Sequence, residues 1–82
     1  MLLATLIARL GRWADYNAEK SAKLKFSSRH AALGYRDKAA HLVDLQLALA
    51  NFTYSIEQVQ EEFPEESNSE PPKDVVQKIE ED

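Results

Sequence analysis

The sequence predicts an all-α protein: an antiparallel, coiled-coil-like helical hairpin over residues 1–63 that dimerises into a helical bundle, followed by a flexible acidic tail over 64–82. Three observations carry that reading. Leu42, Leu45, Leu49, Phe52, Ile56, Val59 and Phe63 succeed one another at alternating steps of three and four, the a and d pattern of a helix packed along its length. An earlier stretch, Met1 to about Phe26, shows a second amphipathic helical repeat. From Pro64 the composition turns to Glu, Ser, Asn and Pro, which cannot bury enough apolar surface to order itself.

In the first helix Leu3, Leu6, Leu10, Trp13, Asn17 and Leu24 fall on one face, with Ala14 and Ser21 at its edge. Gly11 costs about 1 kcal/mol inside a helix relative to Ala and permits a close approach by a neighbour. On an adjacent face Arg9, Arg12, Tyr16, Lys20 and Lys23 line up within about 80°. That stripe is a candidate polyanion contact, with cations for phosphates and Tyr16 for stacking. Its plainer alternatives are a solvated face or one that meets the chain's own acidic half.

The end of this helix has three readings. Ser27-Ser28 can end it and cap the next helix; Gly34 can supply a left-handed terminal residue with Asp37 as the following cap; or the repeat can run on as one rod. The hairpin is preferred to the rod. In the second helix Val43, Leu45, Leu47 and Leu49 also alternate as in a strand, but Gln46, Ala48, Ala50 and the flanking heptad steps favour helix. Leu45, Leu49, Phe52, Ile56, Leu6, Leu10 and Trp13 are the expected core.

A second apolar stripe on that helix, Val43, Leu47, Ala50 and Tyr54, lies well round the cylinder from the heptad seam. Two helices alone bury one seam and leave the other wet. These four residues are therefore the candidate partner-binding site, covered by a second copy of the chain or by a foreign protein. In the tail, Val75, Val76 and Ile79 give a possible short docking helix over 73–81, too short to be stable alone.

Composition narrows the function. With 82 residues and no Cys, the chain makes one small domain without disulfides, Cys-ligated zinc or a thiol nucleophile. Residues 1–44 carry eight Lys or Arg against four acids, while 45–82 carry two against ten, so the net charge of −4 conceals a basic half and an acidic half. An acidic whole disfavours nucleic acid as a partner. Asp44, Gln46 and Asn51 interrupt the most apolar run, and the short N-terminal apolar run lacks a preceding basic residue, so neither a membrane span nor a signal peptide is expected. Leu2, Leu3, Leu6, Ile7, Leu10 and Trp13 suit a core better than a membrane surface. The expected location is the cytoplasm.

An enzyme is not expected, and neither is a cofactor. His30 and His41 stand eleven residues apart, roughly 16 Å on one helix, too far to share a metal. Glycine-rich phosphate loops, GxSxG and HExxH motifs are missing from the chain.

Leu10-Gly11-Arg12 followed by Tyr16-Asn17-Ala18-Glu19, within an Ala- and Lys-rich first helix, resembles the start of small helical accessory proteins of T7-like bacteriophages. The likeness covers about the first quarter of the chain and carries over no site residue. It implies a phage-encoded protein, in the host cytoplasm, that binds and redirects a host protein. The resulting expectation is a non-enzymatic protein-binding module. Its rivals are a scaffold element that only self-associates and a nucleic-acid binder using the stripe from Arg9 to Lys23.

Overall fold

The computed structural model describes residues 1–72 and holds four helices among them: α1 Leu3–Leu24, α2 Arg29–Ala50, α3 Ile56–Glu62 and α4 Pro64–Asn68. Helices α1 and α2 pack against each other as the expected hairpin. Near the turn Ser21 Oγ donates to the Ala32 carbonyl at 2.7 Å, and towards the open end Gln46 Nε2 donates to the Ile7 carbonyl at 2.8 Å. Residues facing each other thus diverge in number away from the turn, which makes the pair antiparallel. The possible helix over 73–81 lies outside the described residues.

The break falls at Ser27-Ser28. The Leu24 carbonyl accepts from both Ser27 N and Ser28 N, Ser28 is extended, and its carbonyl begins α2 by accepting from Ala32 N. Ser28 marks the boundary without a side-chain cap bond. Gly34, the alternative break, lies inside α2 without a positive φ, and so does Asp37 beyond it.

The core occupies the half of the hairpin away from the turn. Leu6, Leu10, Trp13 and Ala14 of α1 meet Leu42, Leu45 and Leu49 of α2 and Val59 of α3, with Leu3, Ile7, Tyr16, Tyr54, Ile56 and Phe63 packed around them. Each fully buried Leu or Val contributes about 1.5–3 kcal/mol relative to exposure. In the turn half burial is sparse: Asn17, whose Nδ2 donates to the Trp13 carbonyl, and Ala32. The residues at the helix contact there are small or polar, as the dilution of the α1 face predicts.

The seam over 42–63 is not one helix. Leu42, Leu45, Leu49 and Val59 are buried as expected, and Ile56 and Phe63 partly so, but Phe52 is 82% exposed and sits at φ 63°. The chain turns there because α2 ends in a Schellman arrangement. Thr53 N donates to the Ala48 carbonyl and Phe52 N to the Leu49 carbonyl, which places Phe52 at the left-handed position usually held by Gly. Asn51 Oδ1 accepts from both the backbone N–H and the hydroxyl of Thr53 and fixes the reversal. A capping box then starts α3: Gln58 N donates to Ser55 Oγ at 3.2 Å, and Ser55 N donates to Gln58 Oε1 at 2.8 Å. Folding α3 back brings Val59 into the core that Leu49 already lines, where a straight continuation would carry it away from α1.

The segment after Pro64 also differs from expectation. Pro64 occupies the first turn of α4, where its missing N–H costs nothing. Glu66 and Ser67 are buried, and α4 packs on α1, so the ordered part of the chain continues past residue 63 into the region expected to be disordered.

Candidate functional site

Two surfaces answer to the residues singled out in the sequence. The first is the outer face of α2. Val43 is 44% exposed and Leu47 61% exposed, and Ala50 lies one turn beyond, also exposed. Ala40 extends the same helical row towards the turn. These side chains point away from α1, because the seam of Leu42, Leu45 and Leu49 takes the opposite side of the helix.

Tyr54 does not join this row. Its position at the same spacing assumed an unbroken helix, and the reversal at Asn51–Phe52 turns it inward, where it packs partly buried against the core. Phe52 takes the reverse course, from expected core to an exposed ring just beyond Ala50. The signal for this exchange was present: Ser55-Ile56-Glu57-Gln58 has the spacing of a capping box, which requires a helix start in the middle of the supposed rod.

The second surface is the basic stripe of α1, and the chain's own acidic segment engages its N-terminal part. Arg12 grips the Glu70 carboxylate with two bonds, Nε to Oε2 and Nη2 to Oε1, each at 2.6 Å. Arg9 donates Nη1 to the Ser67 carbonyl at 2.6 Å and reaches Glu70 Oε1 at 3.4 Å. Trp13 Nε1 donates to the Ser69 carbonyl at 2.8 Å, so the strap from Ser67 to Glu70 is held by backbone and side chain together. The bidentate bond to Arg12 lowers the Glu70 pKa from its ordinary 4.5 and raises that of Arg12.

Deeper under the strap, Lys38 of α2 reaches the buried Glu66 at 2.7 Å. That ion pair, which spacing along the chain gave no reason to expect, draws α4 onto the hairpin. Further along the stripe Tyr16 stacks edge-on against Trp13, and the Lys20 ammonium lies 5.6 Å from both the Tyr16 and the Tyr35 ring centroids. Lys23 stands in the last turn of α1, where a positive charge suits the helix dipole. The five stripe residues are thus split: Arg9 and Arg12 hold the strap, Tyr16 and Lys20 meet aromatic rings, and Lys23 stands at the helix end.

His41 packs its ring against Phe63, centroids 5.4 Å apart, while His30 stands exposed in the first turn of α2. Among the described residues no three of His, Cys, Asp or Glu are grouped to hold a metal ion, and no helix is long and apolar enough to cross a membrane. Compared with known proteins, the chain matches no family model, no curated protein and no solved structure.

Proposed function

We propose that this protein is a small non-enzymatic binding module whose outer α2 face, Val43, Leu47 and Ala50 with the adjoining Phe52, docks on another protein. The observation that carries this reading is the continuous apolar exposure of that face in a chain whose core is closed elsewhere. A large aromatic ring held outward at a left-handed backbone position adds to it, since that conformation disfavours L side chains and such strain gathers at functional positions. The resemblance of Leu10-Gly11-Arg12 and Tyr16-Asn17-Ala18-Glu19 to phage accessory proteins supports a phage-encoded modulator acting on a host protein in the host cytoplasm.

The competing reading is self-association: a second copy covers the same face and completes a bundle. Val43→Glu with Leu47→Glu separates the two, because both side chains are exposed and the substitutions leave the core untouched. Light-scattering mass across a concentration series is the readout. A binder keeps the same mass with and without the substitutions. A self-associating scaffold falls from dimer or tetramer to monomer.

A further inference from the structure

At the turn end of the hairpin, away from both surfaces already described, a cleft of about 440 Å³ is lined by Ser21, Ala22, Lys25, Arg29, Ala32, Leu33 and Arg36. Three of those side chains are cations, contributed by the last residues of the α1 end and the first two turns of α2. Residues 20–36 hold five Lys or Arg and no acid. The ion pairs formed among the described residues use none of Lys25, Arg29 and Arg36. Ser21 closes the floor by bonding to the Ala32 carbonyl, and the walls are Ala22, Ala32 and Leu33. Next to the cleft residue Lys25 stands Phe26, 91% exposed, with the Lys25 ammonium 4.9 Å from its ring centroid.

We infer that this cleft binds single-stranded nucleic acid, with backbone phosphates against Lys25, Arg29 and Arg36 and a base stacked on Phe26. Arg29 and Arg36 lie seven residues apart on one helix, about 10 Å, the span of roughly three phosphates along a stacked strand. An exposed aromatic ring beside a cationic groove is the combination that single strands use without sequence preference. A membrane surface fits less well: beside the exposed Phe26 and Leu33, the turn carries Lys25, Ser27, Ser28, Arg29 and His30, so the tip offers no continuous apolar face. The exposed acids Glu57, Glu61, Glu62 and Glu65 lie on α3 and α4, away from the cleft, and repel a polyanion from that side. Binding is therefore confined to the turn end. It does not use Arg9 and Arg12, whose guanidinium groups Glu70 and Ser67 already hold.

The test is fluorescence anisotropy of the full chain with a labelled oligothymidylate of about ten nucleotides, within the range of single-strand sites. Saturable binding should weaken with salt at a log–log slope of about −2, the value for three neutralised phosphates on a single strand. Phe26→Ala should weaken it about tenfold or more. Arg29→Glu with Arg36→Glu should abolish it while helicity by circular dichroism stays unchanged; if that pair unfolds, Arg29→Gln with Arg36→Gln should still weaken binding in a folded chain. No saturable binding at low salt would overturn the inference, as would binding indifferent to the arginine substitutions. Retention on phosphatidylserine vesicles without oligonucleotide binding would overturn it in favour of a membrane.

Discussion

Gly11 and Gly34 both sit inside long helices, yet a methyl group added at each meets different surroundings. At Gly34 nothing lies within 4 Å of the new Cβ. Gly34→Ala should therefore gain about 1 kcal/mol of helix propensity, raising the thermal midpoint by roughly 4–8 °C in a domain this small. At Gly11 the new Cβ would stand 2.7 Å from Gln46 Nε2, which is bonded to the Ile7 carbonyl. The same gain is there offset by about 1 kcal/mol from the displaced hydrogen bond, and the midpoint should barely move. Equal shifts for the two variants, measured by thermal unfolding, would contradict the crossing of Gln46 over Gly11. Phe52→Gly belongs to the same scale. It removes a left-handed side chain at a cost to the native state of about 1–2 kcal/mol and takes away an exposed ring, so it should raise stability while weakening partner capture. A variant that loses stability would show that the ring is held by packing and is not presented.

Among the elements, the strap from Ser67 to Glu70 responds to pH. The Glu70 pKa is lowered in the folded state by its bond to Arg12, so its stabilisation is present above the ordinary carboxylate value of 4.5 and is lost as pH falls through the depressed folded value. Glu70→Gln should remove this acid-sensitive component: wild type and variant should differ near neutrality and converge in acid. Both partners are solvent-exposed, so the difference should also shrink with added salt. A difference that persists at pH 2 would point to a packing role for Glu70. The two long helices and their α1 core face were legible because each rests on local periodicity. The break was narrowed only to Ser27-Ser28, Gly34 or none, since both sites carry residues able to end or cap a helix. The strap was not legible, because Arg9 and Arg12 meet residues about sixty positions away and no spacing rule encodes that meeting. Phe52 and Tyr54 were exchanged for one reason. Heptad steps continue in phase across Asn51–Ser55, and periodicity outweighed a capping box that marks a new helix.

For the whole molecule, charge and apolar surface are distributed so that different regions are free for different contacts. The core half is closed by α3 and α4, with Glu66 of α4 paired to Lys38 and Glu70, just beyond α4, paired to Arg9 and Arg12. Among the described residues the turn half is two helices thick, and Lys25, Arg29 and Arg36 there form no ion pair. The outer α2 face stays apolar and exposed between them, at Val43, Leu47 and Ala50. The measurement that tests the central claim most directly is capture from bacterial lysate by the wild-type chain beside Val43→Glu with Leu47→Glu. A binding module should retain a specific host protein that the folded, unchanged-mass variant releases. Equal retention by both chains, or no retention by a wild type that the substitutions convert from oligomer to monomer, would contradict it.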